Sequence, residues 1–147
     1  MIRIEQMTLS HVPQVAALEK SCFSDPWSEK SLSSELENPL ALWIVALDGN
    51  RVAGYIGAQT VLGESDMMNL AVDPAYRRQG IARALVTSLV DSLRQEGSRC
   101  IVLEVRESNL PAGKLYESLG FSQVGLRRGY YEKPREDARI LKKEWTK

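Results

Sequence analysis

The sequence predicts an α/β (α+β) chain in which about four helices pack on one mixed sheet of about seven strands. Three observations carry that prediction. "ALWIVALD" and "RVAGYIGAQTV" are apolar runs joined by Gly49 and Asn50, the turn residues of a hairpin. "CIVLEV" (100–105) is a nearly continuous apolar run, as expected of a strand covered on both faces. Between them Ile81, Ala82, Leu85, Val86, Leu89, Val90 and Leu93 recur at helical spacing.

The remaining elements follow in order. "MIRIEQM" alternates Ile2 and Ile4 with polar neighbours and reads as a half-buried strand. Ser10 is the expected N-cap of a helix through Val12, Val15, Leu18 and Phe23. "DPWS" ends it, and Ser28 with Lys30 and Ser31 opens a second, short helix that stops near "NP". "SDMMNLAV" is a strand closed by Asp73 and Pro74. A short helix after "CIVLEV" keeps Ala112, Leu115, Tyr116 and Leu119 on one side and ends at Gly120. "FSQVGLRRGYYE" and "DARILKKEW" complete the sheet. With no repeat or linker, residues 1–147 are expected to form a single domain.

Composition narrows the function. Apolar residues make up 44% and charged residues 26%, as in ordinary globular proteins. Nineteen basic side chains balance nineteen acidic ones, so no overall field attracts nucleic acid or an anionic membrane. Acid gathers near the N-terminus (Glu5, Glu19, Asp25, Glu29, Glu35, Glu37) and base from Arg127 to Lys147. That asymmetry fits an oriented partner or two solvated faces equally. Cys22 and Cys100 are too scattered for a disulfide framework or a metal pair, and His11 is the one histidine, so no metal is expected. No apolar run reaches the roughly 20 residues of a membrane span, and the N-terminus lacks a signal-peptide pattern. A cytoplasmic monomer is expected.

"YRRQGIARAL" (76–85) sets two arginines, a glutamine and a glycine at the start of the long helix, directly after the strand "MNLAVDP". A first helical turn leaves N–H groups unpaired and carries partial positive charge. Gly80 and Ala82 leave those donors open to an anion such as a diphosphate, with Arg78 and Arg83 at the rim. Neither a P-loop nor G-x-G-x-x-G is present.

"NLAVDPAYRRQGIARAL" resembles the acetyl-CoA motif of the GNAT acyltransferase superfamily, [QR]-x-x-G-x-[GA], with Arg77, Gly80 and Ala82 in the specified places. "DPWS", "LEVRESN", "LYESLGF", "RRGYY" and "REDA" extend the resemblance, in order along nearly the whole chain, to the RimI type of ribosomal-protein alanine N-acetyltransferases. The resemblance implies a mostly antiparallel sheet with a splayed parallel pair that admits the pantetheine arm of acetyl-CoA. It implies main-chain contacts to that arm from Leu70, Ala71 and Val72. The pyrophosphate would lie on the backbone of Arg78, Gln79, Gly80, Ile81, Ala82 and Arg83, and Asn109 would contact the cofactor. The acceptor implied is the N-terminal alanine of the eighteenth small-subunit ribosomal protein.

Two side chains are candidates for the chemistry. Glu104 is the one charge inside "CIVLEV" and is read either as half of an ion pair with Arg106 or as a general base whose pKa is raised by burial. Tyr116 lies on the apolar side of its helix, as a core tyrosine or, by resemblance, as the proton donor to the departing thiolate. Acetyl transfer is then direct: a neutral amine attacks the thioester while strand backbone stabilises the oxyanion. An α-amine is neutral about one time in seven at pH 7 and a lysine about one time in two thousand, so a modest base suits a protein N-terminus.

Cys100 shares a strand face with Glu104, yet nothing nearby in sequence activates it as a nucleophile. Trp27, Tyr130 and Tyr131 are candidate walls of the acceptor groove or ordinary core and rim aromatics. Glu64 and Asp66 suit a solvated loop better than a contact to a basic peptide. Gly113 and Lys114 depart from the small or apolar residues expected before the Leu-Tyr pair; Gly113 weakens the helix by about 1 kcal/mol relative to alanine. A lysine or small-amine acetyltransferase and a non-catalytic CoA-binding module are the alternatives. The second predicts an output indifferent to Glu104→Gln and Tyr116→Phe.

Overall fold

The structure, a computed structural model, describes residues 1–145; the last two residues of the expected domain lie outside the described residues. The chain runs β1 (Ile2–Gln6), α1 (Val12–Cys22), α2 (Glu29–Leu36), β2 (Ala41–Asp48), β3 (Arg51–Val61), β4 (Glu64–Val72), α3 (Ile81–Gln95), β5 (Cys100–Arg106), α4 (Leu110–Ser118), β6 (Ser122–Glu132) and β7 (Arg135–Glu144). The strands form one sheet in the order β1-β2-β3-β4-β5-β7-β6, antiparallel at every junction except β4–β5.

That one parallel junction is short. Glu64, Ser65 and Asp66 pair with Cys100, Ile101 and Val102, after which the two strands part. A register shift opposite Gly57 and Ala58 leaves Met68 as an extra residue in β4, between Met67 and Asn69. A bulge bends its strand and interrupts the ladder, which accounts for β4 turning away from β5 at that level. From Met67 to Val72 the β5-facing edge of β4 has no strand partner among the described residues.

The sheet is covered on both faces. On one, Ile44, Ala46, Ile56, Ile101, Leu103 and Val105 pack against α3 and α4. Ile81, Leu85, Val86, Leu89, Val90 and Leu93 of α3 are all buried there, each worth roughly 2 kcal/mol over an exposed position. On the other face, Trp43, Val45, Leu47 and Tyr55 pack against Val12, Val15 and Leu18 of α1 and Leu32 of α2. The Trp43 ring lies over Gly57, its cross-strand partner, where a side chain would collide with the indole.

Two local expectations change, and Gly113 finds a packing reason. The first helix is not capped by Ser10: a short 3₁₀ turn, Leu9–His11, precedes it, and the Thr8 amide donates to His11 Nδ1 at 3.0 Å. β5 is not covered on both faces: Ile101, Leu103 and Val105 are buried while Val102, Glu104 and Arg106 are half-exposed. The parting of β4 from β5 opens that second face. Gly113 is buried because the Arg139 guanidinium fills the space a Cβ would take, with Nη1 only 2.6 Å from that position. Ser28 behaves as expected, its hydroxyl accepting from the Ser31 amide at 3.1 Å.

Candidate active site

The mouth between β4 and β5 is flanked by the start of α3. Arg78 and Gly80 both take left-handed backbone, φ 66° and 77°, which swings the chain from the end of β4 into the helix. Gly80 has open space where a side chain would stand, so its requirement is conformational and its approach is clear. The first helical bond runs from the Ala84 amide to the Gly80 carbonyl at 3.0 Å, and no side chain caps the helix. The amides of Ile81, Ala82 and Arg83 therefore face outward as anion donors. A shallow open groove of about 490 Å³ continues along the outer side of α3, past Gly80, Arg83, Ala84 and Thr87. Arg83 is turned toward α4, donating to Ser118 Oγ at 2.8 Å, and Arg77 Nε reaches back to the Val72 carbonyl at 3.3 Å. These features fit a pantetheine diphosphate: a strand edge with no strand partner, its Val72 carbonyl met by Arg77, then a bare helix start.

Tyr116 stands where the strands part. Its side chain is 6% exposed, packs edge-on against Phe121 with centroids 5.5 Å apart, and directs its hydroxyl to Met67 Sδ at 3.8 Å. The phenol from α4 thus reaches across to β4 just below the bulge. Burial first, and Tyr131 second, hold it well above the ordinary tyrosine range.

Glu104 leaves β5 on the opposite face of the sheet, the α1–α2 face. It is not the buried carboxylate that "CIVLEV" suggested, since its side chain is 23% exposed. Nor does it pair with Arg106. Arg127 Nε of β6 lies 3.5 Å from Glu104 Oε2, on a side chain that is 57% exposed. Arg106 instead binds Glu136 at 3.1 Å, with the Lys133 and Pro134 carbonyls, and stacks 4.3 Å from the centre of the Tyr131 ring.

A bulge between Arg127 and Tyr131 seats the β6 aromatics. Gly129 takes φ 62° there, and its amide donates to Asp137 Oδ1 at 2.8 Å. Tyr130 and Tyr131 meet edge-on at 5.0 Å. Burial pushes the Tyr131 phenol up to about 12, with Tyr130 and the Glu104 carboxylate adding to the rise. Tyr131 therefore stands within electrostatic reach of both Glu104 and Tyr116. On the α1–α2 face Trp27 packs edge-on against Trp43 at 5.5 Å.

Other expected residues take different places. Asn109 caps α4, its Oδ1 accepting from the Ala112 amide at 3.3 Å, so its carbonyl oxygen is already in use. Glu64 lies at the closed end of the parallel pair, where it pairs with Arg99 at 3.6 Å, and Asp66 is on the last paired rung, beside Met67. Cys100 is buried at the same closed end. No group of three or more His, Cys, Asp or Glu among the described residues is arranged to hold a metal ion. No helix among them is long and apolar enough to cross a membrane.

Two acidic residues escaped the sequence reading. Glu136 accepts from the Ser108 amide at 2.6 Å and from Arg106, tying the β5–α4 loop to β7. Hydrogen bonds from Ser108, with Arg106 beside them, hold its carboxyl below the usual range. Glu19 is fully buried on α1 and accepts from the Trp27 amide, the Tyr55 hydroxyl and the Asn69 side chain. Spacing alone made it one more acid on a helix.

Comparison with known proteins places this geometry. Residues 12–121 match the model of the acetyltransferase (GNAT) family. The chain is 39% identical over 140 residues to the [ribosomal protein bS18]-alanine N-acetyltransferase of Escherichia coli K12, covering 94% of each chain. It is 35% identical over 141 residues to the protein of that name from Haemophilus ducreyi, covering 94% of this chain and 97% of the relative. The crystal structure of the ribosomal-protein-S18-alanine N-acetyltransferase from Escherichia coli superposes with a TM-score of 0.91 at 37% identity, over 100% of this chain and 96% of that one.

Proposed function

The chain belongs to the GNAT acetyltransferase family, whose members take acetyl-CoA as donor, and from that premise we propose that it acetylates the N-terminal α-amine of an alanine-leading ribosomal protein. The kinship to the bS18-alanine N-acetyltransferases supports the acceptor class. The observation that carries the mechanism is the placement of Tyr116 and Glu104 on opposite faces of the sheet where β4 and β5 part.

In this reading the free edge of β4 at Leu70, Ala71 and Val72 holds the pantetheine arm. The amides from Arg78 to Arg83 hold the diphosphate, and the amide nitrogen of Asn109 is its remaining contact. When bound, acetyl-CoA supplies an activated acetyl group as a thioester. The acceptor enters from the α1–α2 face, between Trp27 and the Tyr130–Tyr131 pair, and brings its amine to Glu104. Arg127 is exposed and loosely held at 3.5 Å, so an incoming ammonium can replace it beside the carboxylate. Glu104 then receives the proton the amine must lose, directly or through a water. Tyr116 faces the departing sulfur. Because burial makes its phenol a weaker acid than the thiol it serves, complete transfer of its proton is uphill. Its contribution is a hydrogen bond that strengthens as thiolate charge develops.

Incubating the protein with acetyl-CoA and a peptide carrying the N-terminus of ribosomal protein bS18 tests the reading. CoA release is expected, faster than with lysine-bearing or small-amine acceptors. A folded, CoA-binding sample that turns over a lysine or small amine faster than this peptide would overturn it.

A further inference from the structure

Glu19 stands outside the chemistry just described, yet it is the most completely buried charge among the described residues. Its carboxylate has two oxygens and three donors, drawn from three separate parts of the chain. Oε1 accepts the Trp27 amide at 2.8 Å, from the loop between α1 and α2. Oε2 accepts Asn69 Nδ2 at 2.7 Å, from β4, and the Tyr55 hydroxyl, from β3. Asn69 directly follows the bulged Met68 and lies on the α1–α2 face, which it shares with Glu104. Trp27, anchored through its amide, rests on Trp43, which rests in turn on Tyr55 with ring centres 6.4 Å apart. One carboxylate thus ties the α1–α2 loop to β4.

We propose that Glu19 is a positioning residue for the acceptor, fixing Trp27 and its loop against β4 and so setting the groove that the acceptor peptide enters. It touches neither substrate; it acts through Trp27 and Asn69. The proposal rests on the reading that the acceptor enters from the α1–α2 face. The donor side is built from α3 and the main-chain groups on the free edge of β4, and Glu19 reaches that strand only through the Asn69 side chain. A purely architectural carboxylate would affect both substrates alike when removed. A positioning carboxylate affects the acceptor alone.

Two substitutions separate these roles. Glu19→Gln keeps a carbonyl oxygen for the Trp27 amide, and the amide of Asn69 can turn to meet the new donor. Glu19→Met fills the same volume with no acceptor, leaving the Trp27 amide unpaired. Glu19→Met is expected to raise the KM for the peptide about tenfold or more while the KM for acetyl-CoA stays within about twofold; Glu19→Gln is expected to remain within about threefold of wild type for both. Should Glu19→Met not fold, Asn69→Ala cuts the same tie from the half-exposed strand side, with the same one-sided rise expected. A joint rise in both KM values, or none, would overturn the proposal. If wild type does not acetylate the peptide, the acceptor reading fails by itself. Amide hydrogen exchange then decides on Glu19: faster exchange in Glu19→Met confined to residues 23–28 supports it, and unchanged or molecule-wide exchange contradicts it.

Discussion

At the scale of the residue, Glu104 and Tyr116 differ in what surrounds them, and their substitutions should differ too. Glu104 is half-exposed beside an exchangeable arginine, so Glu104→Gln leaves packing intact and removes a proton acceptor. Its kcat with peptide is expected to fall roughly 10²–10⁴-fold, with the KM for acetyl-CoA unchanged in steady-state kinetics. Tyr116→Phe keeps the buried ring against Phe121 and loses only the hydroxyl aimed at Met67. A smaller drop in kcat, about ten- to a hundredfold, is expected, with little change in melting temperature. The pH profile follows from the same surroundings. A tyrosine raised by burial keeps its proton to higher pH than a free one, and Tyr116 and Tyr131 are both raised. The value of kcat/KM for the peptide should therefore climb as the acceptor amine loses its proton near pH 7.8. It should stay level through pH 10, where an ordinary tyrosine would already be titrating. A decline beginning at pH 9 would contradict the burial described for Tyr116.

At the scale of the element, α4 and the start of α3 are held by opposite uses of glycine. Gly80 is needed for its left-handed backbone, so Gly80→Ala is expected to cost about 1–2 kcal/mol in denaturant unfolding and to raise the KM for acetyl-CoA. Gly113 is needed for space. Helix propensity alone would make Gly113→Ala stabilising by about 1 kcal/mol. The methyl, however, meets the Arg139 guanidinium, which binds Glu117 Oε2 and Gln123 Oε1, both at 2.8 Å. No gain is expected in the wild-type background, and the gain should reappear in Arg139→Ala; a double-mutant cycle measures the coupling. The same contrast explains what could be read in advance. The glycine turn into α3 was legible because its glycine, small residues and arginines are contiguous. The width of the second face of β5 was not, because a bulge in a different strand decides it. Glu19 was illegible for the same reason: its partners lie 8, 36 and 50 positions away.

At the scale of the whole molecule, the proposed function divides the work between the two faces where β4 and β5 part. In the proposed function α3, α4 and the free edge of β4 serve the donor. The α1–α2 loop, Glu104 and the β6 aromatics serve the acceptor in the same proposal. Periodicity gave every strand and helix in order, and resemblance gave the parallel pair that unites them. Pairing along the sheet then placed Glu104 and Tyr116 on opposite sides of one opening. The direct test offers a peptide that presents both kinds of amine, an N-terminal alanine and an internal lysine, and locates the acetyl group by fragment mass spectrometry. Acetylation confined to the alanine α-amine, and lost in Glu104→Gln, is the expected result. Acetyl groups on the lysine side chain, or undiminished transfer by Glu104→Gln, would contradict it.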